Sequence, residues 1–199
     1  MNKQEIEQFY PETKQHWRKW LETNHIHKDA VWLIFYKKHT GKPSVNWSDA
    51  VDEALCFGWI DSKGETIDKD TFRQYFCKRK PNSTWSKINK QKIETLAAKG
   101  LIAQAGFDVI DIAKQNGSWT ILDEVEELMI PSELEKTFES FENSKDYFSS
   151  LSKSKQKVLL QWIALAKTDT TRQKRIFEIA ENASKKQQPK QFSPKKNGI

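Results

Sequence analysis

The sequence contains only two cysteines, Cys56 and Cys77, and it has no apolar run long enough to span a membrane. Two thiols set among aromatic residues are too few for the disulfide framework of a small secreted domain, and they indicate reduced thiols in a core. Residues 1–8 are mostly charged or amide side chains, where a secretory signal has a basic start and an apolar stretch. These absences predict a cytoplasmic protein without a membrane span.

Histidine is also scarce, and none follows His39. Cys56 is therefore a candidate nucleophile with few candidate bases, and His25 with His27 lacks a third metal ligand at a fitting spacing. The sequence contains no glycine-rich phosphate loop of the Walker or dinucleotide type. We predict no metal and no cofactor, and the pattern favours a protein that is not an enzyme.

The positive charge is concentrated at one end of the chain. The net charge is +6, and residues 185–199 contain five lysines and no acid, which leaves about +1 for the remainder. This segment has few apolar residues and is rich in Gln, Lys and Pro, so we expect a disordered basic tail. A solvated tail is the favoured interpretation, and weak, salt-sensitive attachment to the phosphates of a nucleic acid is the functional alternative.

Hydrophobic periodicity predicts an α+β fold that is mainly helical, with a small three-stranded antiparallel sheet and a helical C-terminal portion. A buried strand over residues 30–38 is followed by a hairpin over 59–66 and 71–78. We expect residues 1–184 to form one globular domain, with mixed α/β and helical subdomains over 1–120 and 121–184 as a further possibility. The helices are expected to bury Trp17, Trp20, Leu21, Val51, Ala54, Leu55, Ile88, Ile93, Leu96, Leu134, Phe138, Phe141, Val158, Leu159, Trp162, Ile163, Ala166, Ile176, Ile179 and Ala183.

An acid-free basic stretch leads from the hairpin into a helix, and it is the candidate binding site. A helix N-terminus offers unpaired N–H groups and partial positive charge, which suit a phosphate, sulfate or carboxylate. The alternative is structural: Ser83 or Thr84 caps the helix, Trp85 is core and the lysines are solvated. The predicted ligand-binding residues here are Arg79, Lys80, Ser83, Trp85, Ser86 and Asn89.

A second basic cluster, Lys167, Arg172 and Arg175, lies at the predicted start of the last helix. Arg172 and Arg175 are three residues apart, so they share one helix face, and they could bind an anion together with the first cluster. Ion pairs with Asp169 or with the acidic residues 123–127 are an equal alternative.

Asp61 is the acid with the most unusual setting, because it directly follows the aromatic segment at Trp59. It is the candidate catalytic residue of an alternative interpretation, an enzyme acting on a phosphorylated or carboxylated small molecule with Asp61 as general acid or base. An ion pair across the hairpin with Arg73 or Arg79 explains the position equally well.

Single-stranded nucleic-acid binding is a further alternative, because aromatic and basic residues interleave over residues 72–80. Side chains alternate along a strand, however, so Phe72 and Phe76 share one face while Arg73 and Tyr75 share the other. Because the aromatic residues divide between the two faces, this strand is less suited to stacking the bases of a single-stranded nucleic acid.

Three motifs in order resemble the YdeI/OmpD-associated family, which is labelled as bacteriocin-protection proteins. They cover residues 53–61, 79–89 and 162–176, and the resemblance extends from about Trp17 to about Asn182. It implies a small bacterial protein linked to envelope stress and antimicrobial-peptide resistance, with no settled catalytic residues. Together with the basic stretch, this predicts a non-enzymatic protein that binds a small anionic ligand or a protein partner.

Overall fold

The structure is a computed structural model that describes residues 6–192. It contains two compact units, which divide between Trp119 and Thr120. The strands and α-helices of the first unit are β1 (Gln8–Phe9), α1 (Lys14–Asn24), β2 (Ala30–Tyr36), α2 (Trp47–Cys56), β3 (Trp59–Thr66), β4 (Thr71–Lys78), α3 (Lys87–Ala98) and α4 (Gln104–Gln115). Those of the second unit are α5 (Asp123–Glu126), α6 (Ser132–Glu139), α7 (Ser144–Ser150), α8 (Lys153–Ala164) and α9 (Asp169–Ser184).

The sheet of the first unit has four strands in the order β1-β2-β4-β3. The predicted mixed helical and strand architecture is confirmed, and β2, β4 and β3 pair antiparallel. The predicted number of strands is wrong, because β1 adds a parallel edge strand whose Gln8 lies opposite Trp32. A two-residue strand carries no alternation of polar and apolar residues, so its sequence holds no strand signal.

The core of the first unit lies between one face of the sheet and the helices. Val31, Leu33 and Phe35 of β2 project into it, as the alternation of side chains requires. Aromatic side chains supply much of its volume, and they pack both stacked, as Trp17 on Trp20, and edge-on, as Trp17 against Phe76. The fully buried large side chains of this core include Trp17, Leu21, Leu33, Phe35, Leu55, Trp59, Phe76 and Trp85.

Helix α4 packs directly on the end of α2 because two glycines leave room for it. A Cβ on Gly106 would lie 2.5 Å from the Cys56 carbonyl oxygen, and a Cβ on Gly58 would lie 2.8 Å from Cγ2 of Val109. Gly58 also has φ +71°, which L side chains rarely adopt. The backbone contact is closed by a hydrogen bond of 2.9 Å from the Ala103 amide to the Cys56 carbonyl.

The second unit is helical, and its core is built from one face of each longer helix. Leu134, Leu159, Ile163, Ile176 and Ile179 are buried there, in agreement with the periodicity of the sequence. Val158 is 44% exposed, so its predicted burial is wrong, and in the first unit the same holds for Ile88, which is 65% exposed. Both residues lie at the edge of the buried stripe of their helices. At this edge a small error in the predicted orientation of the helix decides whether a side chain is buried or exposed.

Part of the predicted basic tail falls within the described residues. Pro189 is buried, residues Lys190–Phe192 form one 3₁₀ turn, and the Phe192 ring meets the Trp162 ring edge-on at 5.4 Å. Residues 193–199 lie outside the described residues. Within residues 6–192 no helix is both long and apolar enough to cross a membrane.

Candidate ligand-binding site

Asp61 is positioned by an irregularity in β3. The register of β3 against β4 shifts between Asp61 and Gly64, and such a bulge turns a side chain away from the regular alternation. The Gln74 side chain of β4 occupies the space beside Gly64 and donates from Nε2 to Oδ2 of Asp61 over 3.0 Å. The indole Nε1 of Trp47, at the start of α2, donates to the same oxygen over 3.1 Å.

These contacts correct the predicted partners of Asp61. Arg73 instead pairs with Glu65, from Nη2 to Oε2 over 2.7 Å, and Arg79 makes no ion pair within 4.0 Å among the described residues. Oδ1 of Asp61 has no hydrogen-bond donor from residues 6–192, so one oxygen of a fixed carboxylate remains available.

Asp61 lines a cavity between α2, β3 and the start of α3. Its volume is about 390 Å³, and its lining is mostly apolar. Trp47 and Ile88, which are 55% and 65% exposed, place two apolar side chains side by side at this cavity. The cavity is lined by Trp47, Ser48, Val51, Asp61, Ser86, Ile88, Asn89 and Lys92.

The start of α3 supplies the polar side of the cavity. Ser86 is the N-cap, and its Oγ accepts a hydrogen bond of 3.3 Å from the Asn89 amide. The predicted caps Ser83 and Thr84 are wrong: the amide of Ser83 closes a turn on the carbonyl of Lys80, 2.9 Å away. The cavity therefore receives the side chains of Ser86 and Asn89 from the predicted ligand-binding set.

Arg79 is buried, with 6% of its surface exposed, and its guanidinium lies 3.7 Å from the centre of the Trp85 ring. Nη1 donates to the Thr84 carbonyl over 2.8 Å. Nε and Nη2 are enclosed and have no hydrogen-bond acceptor among the described residues. Burial lowers the pKa of Arg79 to about 10, and the negative charge of Asp61 opposes this lowering. The loop before α3 thus holds a buried cation with two unused donors.

The predicted basic stretch carries less unpaired positive charge than the sequence indicates, because acidic side chains pair with some of its cations. Lys78 pairs with Asp29 over 2.9 Å, and Lys92 pairs with Asp52 and donates to Oγ of Ser48. Lys80 is exposed, and its charge opposes the raised pKa that burial gives Cys77. Acids from distant parts of the chain therefore neutralise much of the stretch.

Glu53 is a buried carboxylate that sequence reasoning missed. Only 2% of Glu53 is exposed, and its Oε2 accepts from Nη1 of Arg18 over 2.7 Å while its Oε1 pairs with Lys14 over 3.3 Å. Arg18 also donates to the Leu101 carbonyl over 3.0 Å, so this cluster ties α1 to α2 and to the loop before α4. A glutamate on the apolar face of a predicted helix is the signal that could have found it.

Cys56 is not placed as a nucleophile. It is fully buried, and desolvation raises its pKa to about 11, so the thiol carries its proton at neutral pH. The nearby Arg18 guanidinium lowers this pKa only in part.

The second predicted cluster lies in the other unit, where each arginine has a partner. Nε of Arg172 pairs with Oε1 of Glu133 over 3.3 Å, rather than with Asp169 or residues 123–127. Nη1 of Arg175 donates to the Trp162 carbonyl over 2.5 Å, and its guanidinium lies 5.2 Å from the Trp162 ring centre.

The aromatic residues of β4 divide between the faces of the sheet as predicted. Phe76 is buried in the core, and Phe72 stacks on Phe35 with centroids 4.9 Å apart. Tyr75 and Arg73 contact Trp32 on the opposite face.

Two family models match separate parts of the chain. Residues 9–109, just over half of the 199 residues, match the model described as "Domain of unknown function (DUF8412)". Residues 127–186 match the model described as "Bacteriocin-protection, YdeI or OmpD-Associated". No curated protein and no solved structure matches the chain significantly.

The matches agree with the division into units and refine the resemblance seen in the sequence. The motif over residues 162–176 lies within the YdeI or OmpD-associated match, so that prediction is confirmed for the second unit. The motifs over 53–61 and 79–89 lie within the other match. The chain therefore belongs to the family described as a domain of unknown function (DUF8412), and over residues 127–186 it carries a bacteriocin-protection, YdeI or OmpD-associated domain.

Proposed function

We propose that this chain is a cytoplasmic, non-enzymatic protein that binds a small anionic group at the cavity between α2, β3 and the start of α3. Two free cysteines support a reducing compartment. Six residues are assigned to the site or its support: Arg79, Lys80, Ser83, Trp85, Ser86 and Asn89. Arg172 and Arg175 are left out of it, because Glu133 and the Trp162 carbonyl already engage them.

The observation that carries the proposal is the guanidinium of Arg79. A buried N–H group without an acceptor costs free energy, and a buried charge without a close counter-ion costs more. Arg79 bears both penalties, at Nε, at Nη2 and in its charge. A cost of this kind is retained where it serves binding, because a cation in a low-dielectric setting attracts an anion strongly.

The start of α3 favours the same ligand. Ser86 caps only the Asn89 amide, and the first amides of an α-helix have no acceptor within the helix. The helix has 12 residues, so its N-terminus adds a partial positive charge at the cavity edge where Ser86 and Asn89 lie. Exposed Lys80 contributes long-range attraction that salt weakens.

The test is a thermal-unfolding titration of the full chain with phosphate, sulfate and acetate at constant ionic strength. A ligand that binds only the folded state raises the melting temperature by mass action, so we expect a saturable rise of several degrees with at least one anion. Arg79→Met should abolish the rise. Lys78→Met is the matched control, since Lys78 is a cation of the same segment whose charge is already paired with Asp29. An unchanged melting temperature with all three anions, or a rise that survives in Arg79→Met, overturns the proposal.

A role in bacteriocin protection is part of the proposal, supported by the family description of residues 127–186. We expect a strain without this protein to survive bacteriocins less well, and survival should return with the wild-type chain but not with Arg79→Met.

An enzyme is the second candidate, because Asp61 lines the cavity and keeps one oxygen free. As general acid or base it would act on a phosphorylated or carboxylated small molecule bound there. Turnover of such a ligand that disappears in Asp61→Asn would support this candidate, and binding without turnover would reject it.

A further inference from the structure

We propose that the ligand of this cavity is an amphoteric molecule with an apolar body, of the chemical class of the apolar α-amino acids. Its anionic group would lie at the start of α3, its ammonium group at Asp61, and its side chain between Trp47 and Ile88. The inference rests on the proposed anion-binding function and names the ligand class of the same site.

Asp61 sets the requirement for a positive group. It is a carboxylate on the cavity wall, and it is fixed because Trp47 and Gln74 both donate to Oδ2. Both donors use the same oxygen, so Oδ1 is left to accept from a ligand. A simple anion bound at the start of α3 would also meet the negative charge of Asp61, and this repulsion weakens its binding. A ligand that also carries an ammonium group removes this repulsion and gains a charge-assisted hydrogen bond.

The charges around the cavity fit a ligand with both signs. Arg79 and Asp61 carry opposite charges, but the two side chains make no ion pair within 4.0 Å, so each charge is left for a ligand. Lys92, the other charged residue of the lining, is neutralised by Asp52. The cavity wall therefore offers one carboxylate, at Asp61, and one helix N-terminus, at Ser86, and the buried guanidinium of Arg79 lies in the loop that precedes this helix.

The apolar side chains that line the cavity favour a ligand with an apolar group. Trp47 and Ile88 stand in the first turns of α2 and α3, and more than half of each side chain is exposed to solvent. Val51 adds a third apolar surface. Burying such surfaces against a ligand contributes roughly 25 cal/mol per Å². The cavity volume of about 390 Å³ is at the lower end of the range for small-molecule pockets, which suits a ligand the size of one amino acid.

The experiment compares three probes that share a phenyl group, titrated calorimetrically into the full chain at pH 7. L-Phenylalanine has the ammonium and the carboxylate, 3-phenylpropionate has only the carboxylate, and 2-phenylethylamine has only the ammonium. Because a hydrogen bond to a charged group is worth about a factor of ten or more, we expect L-phenylalanine to bind about tenfold tighter than either of the others. In Asp61→Asn, which retains an acceptor but loses the charge, the preference over 3-phenylpropionate should disappear while 3-phenylpropionate still binds.

The outcomes separate this inference from the function on which it rests. Equal or tighter binding of 3-phenylpropionate overturns the requirement for an ammonium group and leaves the anion site standing. If 2-phenylethylamine binds as tightly as L-phenylalanine, both proposals fail, since the carboxylate then adds nothing. If no phenyl probe binds, the amphoteric ligand is rejected, and the phosphate, sulfate and acetate titrations decide the anion site by themselves. Asp61→Glu provides a second variant: it retains the charge and should retain the preference for L-phenylalanine.

Discussion

The guanidinium of Arg79 stacks on the indole of Trp85, with 3.7 Å between the guanidinium carbon and the ring centre. Both side chains are buried, and each contains N–H groups without an acceptor among the described residues: Nε and Nη2 of Arg79, and Nε1 of Trp85. Cation–π attraction offsets part of the cost of burying the charge. It does not replace the missing hydrogen bonds, so the burial of this pair destabilises the folded state.

Arg79→Met tests whether the burial of the Arg79 charge destabilises the folded protein, as expected of a residue retained for binding. The substitution removes the buried charge and two unpaired donors and retains an unbranched apolar chain, at the cost of the bond to the Thr84 carbonyl. We expect the free energy of unfolding to rise by about 1 kcal/mol, because an unsatisfied buried group costs about 1–3 kcal/mol. Urea unfolding gives the change. Lys80→Met, at the exposed neighbour, should change it by less than about 0.5 kcal/mol. A fall of 2 kcal/mol in Arg79→Met would instead make Arg79 a structural residue.

Gly106→Ala should be strongly destabilising although alanine is the better helix former. The new Cβ would lie 2.5 Å from the Cys56 carbonyl oxygen and 2.8 Å from Cγ2 of Ile102, so the backbones of α2 and α4 would have to separate. We expect a loss of about 3 kcal/mol by chemical unfolding, at the upper end of overpacking effects. Gln104→Ala, on the exposed first turn of α4, is the control and should stay within about 0.5 kcal/mol.

Two serines of the loop before α3 can be distinguished by their contributions to the helix. Ser86→Ala removes the N-cap bond to the Asn89 amide and should lower the free energy of unfolding by about 1 kcal/mol. Ser83→Ala should have little effect, because it is the main-chain amide of Ser83 that closes the turn on Lys80. Equal losses in both variants, measured by thermal unfolding, would contradict the assignment of Ser86 as the cap.

Cys56 makes stability fall at alkaline pH. Burial raises its pKa from 9.0 to about 11, so between these values the unfolded chain loses a proton that the folded chain keeps. The contribution is fully present below pH 9 and is lost as pH rises to about 11, by roughly 3 kcal/mol in total. Urea unfolding from pH 8 to pH 11 should therefore show the difference between wild type and Cys56→Ala shrinking as pH rises. The pKa of Cys77 is also raised, but Cys77 is present in both proteins, so its contribution cancels in the difference between them. A difference that is constant with pH would exclude this role of Cys56.

Glu53→Gln should destabilise the first unit by about 2 kcal/mol. The buried carboxylate neutralises Arg18 and Lys14, and an amide leaves both cations without their counter-charge. Glu22 provides the matched control, because it pairs with the same Arg18 but is 56% exposed, so Glu22→Gln should cost less than about 0.5 kcal/mol. Similar losses in the two variants, measured by urea unfolding, would show that burial of Glu53 is unimportant.

Local signals in the sequence predicted the regular elements well. The strands of the hairpin occupy residues 59–66 and 71–78 as expected, because period-2 alternation and the turn between them are properties of the local chain. The caps of α2 and α8 are Asn46 and Ser152, two residue types that favour helix N-termini for local reasons. At α3 three hydroxyl residues precede the helix within four positions, and local preference cannot choose among them.

The candidate site was only partly predictable, because its contacts join distant residues. Arg79, Ser86, Asn89 and Asp61 were identified from the sequence. Trp47 and Ile88 were not, because an exposed aromatic or aliphatic side chain gives the same pattern as a buried one. The neutralising partners Asp29 and Asp52 come from elsewhere in the chain, so counting charges along one segment overstated the positive field.

The exposed indole of Trp47 also gives the protein an optical reporter at its cavity. The sequence has eight tryptophans, and Trp47 is the most exposed of them, while Trp17, Trp59 and Trp85 are almost completely buried. Indole emission shifts to longer wavelength in polar surroundings, so detection on the long-wavelength side of the emission band favours Trp47 over the buried rings. A molecule that enters the cavity would displace water from this indole and move its emission toward the blue, which allows occupancy to be followed without a label.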